Sequence, residues 1–484
     1  MHDVVLTLLP LLLGAFLATL AGWTRSVLAY PVGAIALLTS FGFAVKLLCS
    51  VLAHGTATYL LGGWSPPWGI VFVVDTFSAG MLVLISASAL FTFLAFRAEI
   101  LDHFAEKSAA FVALFMLTVA GHMGIVATGD LFNLYVLIEV AALSGYALLG
   151  FGTGRSPLAS LNYLCIGSVG ASFYLLGVGY LYMLTGSLNM ADLARIIAAS
   201  PVTVSMHGAV GVILLGLWVK MALFPFHGWL PGAYGMTSPV SATLMAPLTT
   251  KVMVYVVIRI LISVLPGASI PDAIPAVAVT LATAAIFVGS VMAFRQTDQR
   301  RMLAYILVAE VGYMVGGVFI GNRTAMTGAM LHVFADSLMT LTLFMAVGSI
   351  ARQRGEMTLG NLSGLFRTMP FTMAAFVLGA MSMIGVPPLF GFFSKWYLLS
   401  GALASGQYVF MAGLLVSSLV NVVLFFRLFE TAFFDAPGES VRDIEHWSRV
   451  TPLAIVAVLL IVAGLSSGLI VDRLIAGIIP ASLI

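Results

Sequence analysis

The stretch GLWVKMALFPFHGWLPGAYG, residues 216–235, decides how this chain is read. It is apolar enough to dissolve in lipid, yet it carries Lys220 in its middle and Pro225 and Pro231 behind it. Proline removes a backbone donor and clashes with the preceding turn, so a helix through this stretch breaks. At membrane depth the freed carbonyls are tolerated only where protein or a water-lined cavity satisfies them. A lysine there costs roughly 2.5–3.5 kcal/mol even on lenient insertion scales, and it therefore faces a protein interior or a wet path. A second stretch, MSMIGVPPLFGFFSKWYLL at 381–399, repeats the construction with Pro387, Pro388 and Lys395. Interrupted helices at corresponding positions of two halves mark the site of a transporter.

The rest of the chain agrees. Of 484 residues 61% are hydrophobic and 8% charged, with a mean hydropathy of +1.11, whereas a soluble domain carries about 25% charged residues. This predicts an all-α polytopic membrane protein. Only five lysines occur, and Lys46, Lys220, Lys251 and Lys395 lie in apolar text. Lys46 is near a helix end, where its amine snorkels to the interface. A net charge of +2 gives no reason to expect nucleic acid. Cys49 and Cys165 read as small core residues, with no CxxC spacing for a disulfide or an iron–sulfur site. His122, His207, His227 and His332 show no paired ligand spacing, so neither a metal nor another cofactor is expected.

At about 20 apolar residues per span, about fourteen helices are expected, starting near 3, 26, 75, 109, 131, 160, 205, 238, 274, 301, 325, 371, 407 and 450. The first, with Asp3 as its only formal charge, reads as a membrane helix and not a cleaved signal. Residues 187–201 read as a short interfacial helix, and 435–449 as the longest polar connection. Under this count Arg25, Arg97, Lys107, Arg155, Arg295, Arg300, Arg301, Arg352, Arg354, Arg367, Arg442 and Arg449 fall on one side, against Arg195, Arg323 and Arg473 on the other. The positive-inside rule makes the rich side cytoplasmic and puts both termini outside, in a plasma (inner) membrane. Lys220 and Lys395 are 175 positions apart and the acids Glu139 and Glu310 are 171 apart. That near-equal offset predicts two repeats of five helices, 109–264 and 274–431, preceded by helices in 1–108 and followed by a loop and last helix in 432–484.

Burial raises a carboxyl pKa and lowers that of a lysine, while pairing reverses both. A Glu139–Lys220 pair that forms and breaks thus makes Lys220 hold and release a proton. Lys251 is the next acceptor, with Thr249 and Thr250 as bridging hydroxyls. A static ion pair fixing helix packing is the plainer reading, though such pairs are often neutral for stability. His227 suits either a relay or a hydrogen-bonded core position. His332 is placed for relay, with Asp336 one turn on along the same face. Asp75 and Asp130 read as helix caps.

At these residues the chain resembles the proton-translocating antiporter-like subunits shared by respiratory complex I, membrane-bound hydrogenases and Mrp-type Na⁺/H⁺ antiporters. The carrying motifs are KMALFPFHGWLPGAYGMTSPVSATLMAPLTTKVMVYVVIR (220–259), GDLFNLYVLIEV (129–140), RMLAYILVAEVGYM (301–314) and GVPPLFGFFSKWYLL (385–399), in the family's order across about 70–430. GDLFNLYV most resembles the D subunit of Mrp antiporters. The resemblance implies fourteen helices, two inverted five-helix repeats, and a polar axis in which Glu139, Lys220, Lys251, His332 and Lys395 relay protons. Two departures alter that axis. HVFADSLMTLTLF (332–344) puts Asp336 and Thr340 where the family has histidine and lysine, and AYILVAEVGY (304–313) adds Glu310. The second half loses a cation and gains two acids.

The expected function is proton conduction within a multi-subunit Na⁺/H⁺ antiporter, with other membrane subunits as partners and no catalytic chemistry in this chain. The alternatives are a pumping subunit of a redox-driven complex, a partner in inorganic-carbon uptake, or a scaffold with a vestigial channel, suggested by Thr340.

Overall fold

The computed structural model describes residues 2–480 apart from 153, 200, 202, 266–269, 356 and 436–444. Most of the polar connection expected at 435–449, including Arg442, lies outside the described residues. The remainder is almost entirely helical. The helices are α1 (Asp3–Thr24), α2 (Ala29–His54), α3 (Thr76–Ala95), α4 (Ser108–Ala127), α5 (Leu131–Gly150), α6 (Ser156–Thr185), α7 (Met190–Ala199), α8 (Val204–Lys220), α9 (Leu230–Gly235), α10 (Pro239–Ser263), α11 (Ala273–Phe294), α12 (Gln299–Phe319), α13 (Arg323–Arg354), α14 (Leu365–Thr368), α15 (Pro370–Ile384), α16 (Phe390–Ala404), α17 (Tyr408–Phe434) and α18 (Trp447–Leu465). Among the described residues twelve helices are long and apolar enough to cross a membrane. The two expected spans that fall short of that length are the proline-broken ones, α8–α9 and α15–α16. The chain is a multi-pass membrane protein.

Caps start the helices where the sequence places them. Asp75 accepts from Ser78 N and Asp130 from Asn133 N, each satisfying a free first-turn amide. Ser238 caps α10 with Pro239 at its first position, where no donor is needed. The amphipathic α7 turns Asp192 and Arg195 outward as a 2.6 Å pair.

Burial sorts the helices into a ring and a centre. Only 39% of the apolar window of α1, α6, α17 and α18 is buried, against 83% in α10 and 94% in α12 and α13. The most enclosed helices are those that carry Lys251, Glu310, His332 and Asp336, so charge lies where lipid is excluded. Lys46, by contrast, is exposed and meets Asp3 at 2.8 Å.

Two expectations are corrected. Cys49 and Cys165 are exposed and not in the core, because in a membrane chain the lipid side is as apolar as the interior and an apolar run carries no inward bias. The all-α class holds, with one small addition: β1 (Ala57–Leu60) pairs antiparallel with β2 (Val71–Val74) between α2 and α3. Four apolar residues in a row do not distinguish strand from buried helix. Finally, Pro231 does not break a helix; it sits in the first turn of α9.

Candidate functional site

The first break begins at Lys220. After it Ala222 adopts a left-handed φ of 61°, a conformation unfavourable for a residue with a Cβ and found where surrounding structure enforces it. Leu223 N–H reaches Trp218 O, and the Trp229 indole donates to Val219 O at 3.2 Å, so carbonyls freed by the break are satisfied. Lys220 is buried, and its Nζ meets Glu139 Oε1 at 3.2 Å and the Tyr146 hydroxyl at 3.4 Å. The Glu139 side chain keeps 22% exposure, on the same face of α5 as the exposed Phe132, Val136 and Leu143, so this pair borders the outer apolar surface of the bundle. A cavity of about 10 Å³ lies between Lys220, His122, Tyr163 and Thr249, about the size of one water. His122 Nδ1 contacts Thr118 O at 2.8 Å and therefore donates, which leaves Nε2 as an acceptor.

Lys251 follows on α10, completely buried. Its Nζ lies 2.9 Å from Asp336 Oδ2 on α13 and donates to Ala246 O at 3.1 Å and Thr340 Oγ1 at 3.5 Å. Thr340 in turn donates to Asp336 Oδ1 at 2.9 Å. The sequence spacing sets Asp336 beside His332. The structure instead gives it to Lys251, because α10 and α13 pack together and Asp336 faces that contact. Thr249 faces Met245 and the small cavity, and the buried Thr250 hydroxyl has no hydrogen-bond partner.

Around the second break, α15 ends at Gly385 with φ of 99°. Lys395 Nζ donates to Met383 O at 2.5 Å, placing its charge on the carbonyl end of α15 where the helix dipole favours it. It lies 3.6 Å from Glu310 Oε1 and 4.9 Å from the Tyr313 ring centroid. The other Glu310 oxygen is 2.6 Å from His332 Nε2, and His332 Nδ1 is 2.9 Å from Ser394 Oγ. Ser394 spends its hydroxyl hydrogen on Gly391 O. Nδ1–H is then the donor to Ser394, and the Glu310–His332 contact holds one proton that either partner carries. The partner of His332 is Glu310, not Asp336. His227 lies apart, half-buried against Phe224 and Tyr305 with Nδ1 unpartnered.

Several polar residues escape a reading of the sequence. Tyr146 is two turns from Glu139 on α5, a spacing that offers a signal. His122, Tyr313 and Ser394 offer none by themselves. At the end of α10, Arg259 meets Asp75 at 2.7 Å and donates to Ser78 and Tyr255. Asp75 is therefore both a cap and one half of a buried ion pair.

This row of acids and bases on broken and central helices has counterparts. Residues 128–421 match the family model described as the transmembrane part of NADH:quinone oxidoreductase and Mrp antiporter subunits. The chain belongs to that family. It is 41% identical over 468 residues to NADH-quinone oxidoreductase subunit N of Desulforudis audaxviator, covering 91% of this chain and 93% of that one. It is 31% identical over 428 residues to the D subunit of the Na⁺/H⁺ antiporter of Alkalihalophilus pseudofirmus, covering 88% and 86%. A chain of the archaeal membrane-bound sulfane sulfur reductase, a respiratory membrane complex, superposes with a TM-score of 0.92 at 27% identity, over 100% of this chain and 98% of the other. The chain is thus an antiporter-like subunit of the Mrp- and complex I-like kind, whose relatives work inside multi-subunit membrane complexes. The Mrp-type resemblance read from GDLFNLYV is not preferred, since the quinone oxidoreductase relative is the more similar of the two.

Proposed function

We propose that this chain conducts protons across the membrane as an antiporter-like subunit of a multi-subunit complex, through Glu139, Lys220, Lys251, His332 and Lys395, with Asp336, Glu310 and Thr340 as their partners. The observation that carries the reading is that four cationic or titratable bases inside the helix bundle, Lys220, Lys251, His332 and Lys395, each lie within 3.6 Å of a carboxylate. A pair that parts exposes a desolvated lysine that readily gives up its proton, and re-pairing restores its hold. Stability alone is a poor reason to keep several such pairs, because well-packed apolar residues replace them at little cost.

Within that reading a redox-driven complex comes first, supported by 41% identity to a quinone oxidoreductase subunit. A Na⁺/H⁺ antiporter is the second, supported by 31% identity to an antiporter subunit. The two-repeat organisation, 109–264 and 274–431, is part of the proposal. In its favour α4, α5, α6, α8 and α10 pack in the same neighbour order as α11, α12, α13, α16 and α17, with the fifth helix of each returning to the first. The arginine asymmetry supports a cytoplasmic arginine-rich face and outside termini in the inner membrane. Purification of the intact complex in mild detergent, with its subunits identified, tests the assignment. Iron–sulfur or quinone-reducing partners support the first reading, and small antiporter subunits support the second. Transport at the parental rate in a fully assembled Lys220→Ala complex overturns the relay itself.

A further inference from the structure

A cavity of about 610 Å³ opens on the arginine-rich face and is lined by Glu99, Asp102, Thr237, Ser238, Arg300 and Arg352, among others. Glu99 lies in a single π-turn, Glu99–His103, between α3 and α4. Its residue is only 4% exposed although it lines a water-accessible space. One side of its carboxyl accepts from the Val240 amide, in the first turn of α10. The Oε2 atom is buried with no partner, as is Nε of Arg300, whose Nη1 donates to Thr237 O at 3.0 Å. Leaving such a group unmatched is costly, and a cavity that admits water can satisfy it.

Inward from Glu99, α3 presents Thr92 and Ser88, one turn apart. Both hydroxyls are buried and have no hydrogen-bond partner. Buried helical Ser and Thr ordinarily donate to a carbonyl one turn back, as Ser86 on the same helix does to Leu82 O. The two exceptions stand on the helix that packs against both α10 and α13, the carriers of Lys251 and Asp336.

We propose that this cavity is the proton-uptake vestibule of the chain, where Glu99 takes a proton from bulk water and passes it along Thr92 and Ser88 toward the Lys251–Asp336 pair. The inference rests on the relay reading above. Glu99 is neutral when loaded and anionic when it has released its proton inward, and the next proton from water resets it. Burial raises its carboxyl to about 7 against the pull of Arg352, Arg449 and Arg300. The other charged groups around it are Asp102, which meets Arg352 at 3.6 Å, and Asp298 and Arg301 beside Arg300. The carboxyl thus changes charge near neutral pH, as a loading group must. Folded Glu99 keeps a proton that the unfolded chain releases between about pH 4.5 and 7, so its burial costs stability as pH rises through that window.

The test is proton transport by the purified complex in proteoliposomes, across about pH 5.5–8.5. In Glu99→Gln the amide oxygen still accepts from Val240 but carries no proton. Its rate is expected to fall on the order of a hundredfold, with the pH dependence around neutrality flattened. Glu99→Asp should retain part of the rate. The double variant Thr92→Val, Ser88→Ala changes no charge and should also slow transport, which keeps the test open if Glu99→Gln fails to assemble. Parental rate and pH profile in an assembled Glu99→Gln complex, or in the double variant where Glu99→Gln does not assemble, overturn the vestibule. Lys220→Ala is run in parallel. If it loses transport while Glu99→Gln does not, the relay stands and the vestibule falls; if it transports normally, the relay and the vestibule fall together.

Discussion

The two broken helices carry the same residue in different company. Lys220 has one carboxylate, Glu139, whose side chain is 22% exposed, plus the Tyr146 hydroxyl. Lys395 shares a fully buried carboxylate, Glu310, with His332, and its own contact is the longer at 3.6 Å against 2.6 Å. One acid serves one base in the first half and two bases in the second. Glu139 lies at the edge of the bundle beside the exposed Val136 and Leu143, whereas Glu310 is enclosed by protein. Under the proposed relay, Glu139 parts from Lys220 toward the edge of the bundle, whereas Glu310 leaves Lys395 only by exchange with His332.

The strongest way to break this comparison is to delete each lysine. Lys220→Ala and Lys395→Ala are both expected to abolish transport in assembled complexes, read as proton movement in vesicles. Parental transport in Lys395→Ala alone would make the second half vestigial and return support to the scaffold reading. Stability sharpens the contrast next. Glu310→Gln strands two buried bases and should cost about 3–5 kcal/mol. Glu139→Gln strands the single buried base Lys220 at the edge of the bundle and should cost less, about 1–3 kcal/mol. Thermal unfolding of the purified complexes measures both, and equal losses would erase the distinction between the edge site and the enclosed one.

The junction between the halves gives a smaller test. Thr340 is 1% exposed and ties Asp336 to Lys251 through its hydroxyl. A lysine there, as the family pattern has it, would bring a second ammonium to a carboxylate already engaged. Thr340→Lys is expected to slow transport several-fold and to lower stability by about 1–3 kcal/mol from overpacking alone. Unchanged transport and melting would mean that Asp336 is less committed to Lys251 than their 2.9 Å separation implies.

Much of this is legible in the sequence because membranes leave few options. Spans need about 20 apolar residues, and each expected start lies within four residues of a helix start. Buried charge is expensive enough that Glu139, Lys220, Lys251 and Lys395 announce themselves. Which acid meets which base is not legible. His332 and Asp336 share a face of α13, but a helix face four residues long fronts two neighbours, and α10 takes Asp336 while α12 and α16 take His332. Pairing across helices is decided by packing angle and depth, which periodicity along one helix does not encode. The hydroxyls are illegible for a related reason, since Ser and Thr are common in membrane helices and most, like Ser86 and Thr118, donate to their own backbone.

The finest test of the contrast lies in the one neutral partner of Lys220. If Glu139 parts from Lys220 during transport, something must hold the ammonium while the acid is away. Tyr146 is placed for that, with its hydroxyl 3.4 Å from Nζ and the ammonium 5.9 Å from its ring centroid. The ring is fixed edge-on against Tyr163, which stacks on Trp229 at 3.9 Å, so the hydroxyl is tied to the broken helix itself. Tyr146→Phe keeps the ring and removes only the oxygen. A neutral hydrogen bond contributes about 0.5–1.5 kcal/mol, so transport should fall by roughly two- to tenfold, with assembly and melting nearly parental. The counterpart Tyr313→Phe should do less, because Lys395 meets that residue only through its ring and leans on Met383 O and Glu310 instead. If Tyr313→Phe slows transport more than Tyr146→Phe, the lysine of the second half depends on its tyrosine as the first does not, and the roles assigned to the two sites must be exchanged.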